Sequence, residues 1–168
     1  MKNTIILLTM LLFSGIGFAQ ESNNGKQLWA KSFLNEKAPE LTVETWISKK
    51  PDTEGKFVII DFWATWCGPC RKAIPELNEI AKEFSKDVVV IGISDEPVEK
   101  IKAMKEPVIE YYHGVDTKKT MNKILEIKGI PHVIIIDPKG IVRWEGFPLL
   151  ENHKLTPEVV KNLIEKYK

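Results

Sequence analysis

The stretch Phe57 to Pro75, FVIIDFWATWCGPCRKAIP, decides how the rest of the chain is read. Phe57 to Ala64 is β-branched and aromatic with a single charge, Asp61, which is the pattern of a buried strand. Cys67 and Cys70, the only cysteines in the sequence, follow where a helix should begin. Ile74, Leu77, Ile80, Ala81 and Phe84 then recur at helical spacing, predicting a helix from about Pro69 to Phe84, kinked at Pro75. A Cys-x-x-Cys pair at such a junction can close a small disulfide ring, and a helix N-terminus favours the thiolate of its first cysteine. The pair therefore reads as redox chemistry. A structural staple is the alternative, but so short a loop restricts the unfolded chain far less than a long-range bridge does.

The flanks set bounds on this reading. A chain of 168 residues fits one domain with a sizeable core. Its 24 Lys and Arg nearly balance 23 Asp and Glu, so bulk charge points neither to nucleic acid nor to an anionic membrane surface. Residues 1–19 have the form of a signal peptide: Lys2, an apolar core from Ile5 to Phe13, then Gly17 and Ala19 ahead of a cut before Gln20. An uncleaved anchor is the alternative, yet Ile5 to Phe18 would span only about 21 Å as a helix, against a hydrocarbon core of about 30 Å. Cleavage would leave no membrane span and a net charge of zero. Residues 20–34 then read as an N-terminal extension and residues 35–168 as the folded domain. Export places the protein in the periplasm or otherwise outside the cytosol, where disulfides persist.

Around the central strand, Leu41 to Trp46 is a candidate edge strand and Val88 to Ile93 a second buried strand, expected to be parallel. Asp95-Glu96-Pro97 opens a helix to about Lys105, and Val108 to Tyr112 is a short strand candidate. Asp116 or Thr117 is expected to cap a helix through Leu125 or Ile127, ended by Gly129. Val133 to Ile136, the turn Pro138-Lys139-Gly140 and Ile141 to Trp144 form a hairpin, and Thr156-Pro157-Glu158 opens the last helix. The order predicts an α/β fold: a central mixed sheet flanked by helices on both faces.

The WCGPC segment, Trp66 to Cys70, is identical to the active-site motif of thioredoxin. Asp61 precedes it, Pro75 follows the second cysteine by five positions, and Gly129-Ile130-Pro131 lies before a strand. This combination resembles the thioredoxin superfamily over about Leu28 to Lys168. The export signal, the FWATWCGPCRK wording and the inserted helix-strand segment are most similar to the TlpA/ResA group of periplasmic thiol-disulfide oxidoreductases.

The resemblance implies a thioredoxin-like domain with a Cys67-Cys70 dithiol/disulfide couple. Cys67, at the exposed end of the helix, would be the attacking thiolate and Cys70 the resolving thiol. Lowering a thiol pKa from about 8.5 to about 7 raises the thiolate fraction about 16-fold at neutral pH, while weaker nucleophilicity returns roughly 5-fold. Orientation and leaving-group stabilisation must therefore contribute to fast exchange. Asp61, if buried, would have a raised pKa and serve as proton acceptor for Cys70; the alternative is an ordinary strand-end acid in solvent. Trp66, Gly68 and Pro69 would shape the docking surface. Pro131 would be a cis-proline facing the cysteines, with the Ile130 backbone pairing an extended substrate. No cofactor or metal is implied. The implied partners are protein disulfide substrates and a membrane electron donor.

Two positions depart from the TlpA/ResA pattern. Ala73 stands where many members carry glutamate, which weakens any assignment to apocytochrome c. His132 stands where threonine is common, either as a modulator of thiol titration or as a buried structural histidine. The Gly-Pro pair between the cysteines goes, in this superfamily, with a reductant. A dithiol oxidase and a redox-inert binding module of the same fold are the other readings.

Overall fold

The computed structural model describes residues 28–168; the expected signal peptide, residues 1–19, and residues 20–27 of the expected N-terminal extension lie outside the described residues. A six-stranded mixed sheet runs in the order β1-β4-β3-β2-β5-β6. Central β2 (Phe57–Trp63) has β3 (Val88–Ser94) parallel on one side and β5 (His132–Ile136) antiparallel on the other. Strands covered on both faces need apolar residues at every position, which is why these runs do not alternate. Next to β3 lies β4 (Tyr112–Val115), parallel to it, and β1 (Thr45–Trp46) closes that edge. β6 (Val142–Gly146) closes the other as the far arm of the hairpin.

Alternate residues of each strand enter separate cores. Phe57, Ile59, Trp63, Val90, Val133 and Ile135 meet Ile74, Leu77 and Ile80 of α1 (Gly68–Glu83) and Val160 of α4 (Pro157–Tyr167). Ile60, Phe62, Val89, Ile91, Ile93 and Ile134 instead meet Met121 and Leu125, at and just beyond α3 (Thr120–Ile124), and the segment carrying Phe33, Leu41 and Val43. Thr156 caps α4, its hydroxyl accepting the Val159 N–H at 3.3 Å.

Three expected elements differ. The strand expected at Val108 to Tyr112 begins only at Tyr112. Ahead of it, Asn78 of α1 donates to the Val108 carbonyl and accepts the Glu110 N–H, each at 2.9 Å, so that backbone is tied to the helix instead of the sheet. β1 shrinks to Thr45 and Trp46 because only these pair in register, with Val115 and Gly114. The helix expected through Leu125 or Ile127 is the single turn α3: left-handed Lys119 (φ 58°) precedes it and left-handed Glu126 (φ 48°) follows it, ahead of Gly129. Asp116 still serves its start, accepting the Met121 N–H at 2.8 Å. The inserted unit between β3 and β4 carries α2 (Val98–Ala103), with Pro97 just outside it as the cap.

Candidate active site

Cys67 is the N-cap of α1, in extended backbone (φ −81°, ψ 101°), and its sulfur accepts the Cys70 N–H at 3.2 Å. That donor is one of the amides a helix start leaves unpaired, so the fold aims a hydrogen bond and the helix dipole at this sulfur. Pro69 lies in the first turn, where its missing N–H costs nothing. The two sulfurs are joined as a disulfide, with the Cα atoms 5.2 Å apart.

Cys70 is fully buried and Cys67 is only 3% exposed. The exposure expected of Cys67 falls instead on its neighbours, because the capping turn folds its sulfur back onto the first turn of α1. Trp66 is 69% exposed, Gly68 and Pro69 lie at the surface, and a Cβ placed on Gly68 would meet nothing within 4 Å. The surface above the pair is therefore open.

Asp61 lies two residues before Trp63, on the α1 side of the sheet, and is fully buried. The Tyr111 hydroxyl donates to its Oδ2 at 3.1 Å, while Oδ1 has no hydrogen-bond partner among the described residues. Burial pushes the carboxyl up to about 7, against the opposing pull of the Tyr111 bond. Burial, the Asp61 charge and the same bond push the Tyr111 phenol well above its ordinary value. It stays a neutral donor wherever Asp61 titrates.

The remaining expected residues divide. The Ile130-Pro131 bond is cis, Pro131 is buried, and Ile130 touches both cores. His132 is buried, but it pairs across the sheet with Phe62 and stacks on that ring at 6.2 Å, on the side away from α1. It lies on the opposite side of the sheet from Asp61 and the cysteines. Ala73 is buried in α1.

Residue patterns did not single out three neighbours of the site. Glu96 accepts from both the backbone and the hydroxyl of Thr65 and pairs with Lys100 at 2.6 Å, bracing the turn that leads into Trp66. Burial alone would raise its pKa, but Lys100 and the Thr65 donors hold the carboxyl below its ordinary value. Tyr111 is the second and Gly92 the third: Gly92 lies opposite Asp61 in β3, under the Tyr111 and Trp63 rings. An isolated glycine in the apolar run VVVIGIS is a legible sign of close approach, although not of what approaches.

A thioredoxin-like fold holding a Cys-x-x-Cys disulfide at a helix start defines a thiol-disulfide oxidoreductase. Residues 34–145 match the AhpC/TSA family, and the chain belongs to it. It is 28% identical over 115 residues to the thioredoxin-like protein YneN of Bacillus subtilis, covering 64% of this chain and 68% of that one. With the thiol:disulfide interchange protein DsbE of Pseudomonas aeruginosa it shares 29% identity over 154 residues, covering 85% of this chain and 83% of that one. Among solved structures, the thioredoxin domain of a thiol-disulfide oxidoreductase from Bacteroides vulgatus superposes with a TM-score of 0.60 at 27% identity, covering 81% of this chain and 98% of that one.

Proposed function

We propose that the protein reduces disulfides of exported proteins through Cys67 and Cys70. In the reduced enzyme the Cys67 thiolate attacks a substrate disulfide, forming a mixed disulfide and releasing one substrate sulfur as a thiol. Cys70 then gives its proton to Asp61, and its sulfur attacks Cys67 Sγ. The bond between Cys67 and the substrate breaks, and its electron pair leaves on the second substrate sulfur. Two electrons have passed to the substrate; its first sulfur takes from solvent the proton that Cys67 gave up on ionising, its second takes the Cys70 proton by way of Asp61, and the enzyme is left as the observed disulfide with Asp61 again a carboxylate. A dithiol donor at the membrane restores it.

The observation that carries this reading is the Cys70 N–H directed at Cys67 Sγ, a donor already in place for negative charge on the sulfur that first attacks and later is attacked. Exposed Trp66, Gly68 and Pro69 would form a rim for an extended substrate, which the backbone of half-buried Ile130 would pair. The reducing direction is supported by the Gly-Pro pair between the cysteines and export by residues 1–19.

Expression of the full chain with Cys70→Ser tests the reading, because the mixed disulfide then cannot resolve. Exported proteins should be recovered linked to Cys67 and released by dithiothreitol. Recovery of none sinks the reductase, and a redox-buffer titration without a reversible Cys67-Cys70 couple would leave only a binding module. Faster oxidation of a dithiol peptide than reduction of its disulfide would establish the oxidase.

A further inference from the structure

We propose that Tyr111 is a positioning residue of this site: its hydroxyl fixes Asp61 Oδ2 and leaves Oδ1 as the acceptor of the Cys70 proton, in a space that Gly92 keeps open. The inference rests on the reading of Asp61 as that acceptor.

The chain delivers this ring by a specific route. Tyr111 stands just before β4, at the end of the strap whose Val108 carbonyl and Glu110 N–H are clamped by Asn78. Arg71, the residue after Cys70, adds a third tie by donating to the Glu106 carbonyl at 2.7 Å. From the far side, His113 Nδ1 engages the Tyr111 carbonyl at 3.1 Å. The strap is thus fastened to the helix that carries the cysteines, while its ring reaches the strand that carries the acid.

Gly92 makes the reach possible. A Cβ there would lie 3.0 Å from Tyr111 Cε2 and 3.1 Å from Trp63 Nε1, so any larger residue must displace one ring or the other. Beside Asp61, β3 therefore contributes no side chain and β5 contributes Val133. Of the buried residues of α1, namely Cys70, Ala73, Ile74, Leu77 and Ile80, only Cys70 titrates. α4 contributes Val160 and, partly buried, Val159, Leu163, Ile164 and Tyr167 to this core, and α2 contributes Ile101. Glu96, beyond the end of β3, is engaged by Thr65 and Lys100, and the His113 ring is turned to the Tyr111 carbonyl. Trp63 Nε1, buried beside Gly92, has no hydrogen-bond partner among the described residues, and the hydroxyl of Tyr111 is the group that bonds the Asp61 side chain.

A carboxylate gripped through one oxygen keeps its orientation through both protonation states. The proton from Cys70 Sγ passes to Oδ1 as the Cys70 sulfur pair forms the bond to Cys67 Sγ. The hydrogen bond at Oδ2 favours the charged carboxylate, so the acceptor is available at a lower pH than burial alone would allow.

Two measurements on Tyr111→Phe test this. In the oxidised protein, the carboxyl carbon-13 shift of Asp61 should titrate with a midpoint about 1 pH unit higher than in the parent, because a hydrogen bond to the charged form has been lost. In the reduced protein mixed with 5,5′-dithiobis(2-nitrobenzoic acid), the acid limb of Cys70 attack, read as release of the second thionitrobenzoate, should move up by the same amount. A melting curve checks that Tyr111→Phe is folded. Should it not be, 3-fluorotyrosine at position 111 retains the ring and strengthens the donor, and both midpoints should move down.

If Asp61→Asn removes the acid limb while Tyr111→Phe leaves it in place, the role of Tyr111 is overturned and Asp61 as acceptor stands. An acid limb unchanged in Asp61→Asn overturns both. A carboxyl midpoint that moves without the kinetic limb also overturns the role of Tyr111, because the hydrogen bond would then tune a group that the reaction does not use.

Discussion

The two faces of the sheet are built from the same strands and differ in one respect that matters for chemistry. On the side of α3, Ile60, Phe62, Ile91, Ile93 and Ile134 pack with Met121 and Leu125, and the His132 ring stacks on Phe62 at an interplanar angle of 30°. On the side of α1 an equally apolar layer is interrupted by Asp61, with Tyr111 bonded to it and Gly92 hollowed out beside it. A layer that only stabilises has no use for a buried carboxyl with an unpaired oxygen. One face buries a histidine stacked on Phe62, and the other buries a carboxyl that burial holds against its own ionisation.

The difference between the faces should be largest in Asp61→Asn. Burial raises the Asp61 carboxyl to about 7 from an ordinary value near 4, so the folded protein holds a proton there that the unfolded chain has already lost. Between about pH 4 and 7 the folded state binds more protons than the unfolded state, and stability therefore falls as pH rises. Above the folded value the whole penalty applies, about 4 kcal/mol for a shift of about 3 units. Oxidised Asp61→Asn should accordingly be more stable than the parent at pH 8, by up to that amount, with little difference near pH 4. Urea unfolding at the two pH values checks it. Equal differences at both would show that Asp61 is not held against its own ionisation.

Truncation on the opposite face should have a different signature. Ile134→Ala removes a fully buried side chain among Ile60, Ile91 and Leu125 and should cost about 3 kcal/mol, the middle of the range for such cavities. With no titrating group removed, the loss should be the same at pH 5 and pH 8. The rate of reduction of 5,5′-dithiobis(2-nitrobenzoic acid) by the folded variant should match the parent. A pH-dependent loss would mean that the two layers are coupled through β2.

The division between the faces was partly legible in the residues themselves. Asp61 was visible as the lone charge in Phe57 to Ala64, and the cysteine pair with its helix followed from spacing and capping alone. The strand pairing that puts Gly92 opposite Asp61 is a matter of register, which local patterns do not carry. Tyr111 was hidden for a further reason. Apolar alternation around Val108 to Tyr112 reads as strand, whereas Asn78 and Arg71 divert that backbone to α1. Glu96 read as a helix start because its partners, Thr65 and Lys100, lie 31 residues away and one helical turn ahead respectively. What escaped were side chains positioned by contacts distant in sequence. The motif had already located the chemistry they serve.

The smallest effect concerns His132, adjacent in sequence to Pro131 and thus a natural suspect for tuning the thiols. Adjacent strand residues point to opposite faces, and here that parity matters: Val133 shares the α1 side with Asp61, while His132 shares the other with Phe62. A change of charge at His132 would reach the cysteines only across a layer of β2 and β5 backbone. His132→Thr should therefore lower the melting temperature, through loss of the Phe62 stacking, and leave the acid limb of Cys70 attack where the parent has it. Stopped-flow measurement across that limb decides the point. A displaced limb would make the histidine part of the proton path and erase the distinction between the faces, whereas an unchanged one confines titration control to the layer shared by Asp61, Tyr111 and the cysteines.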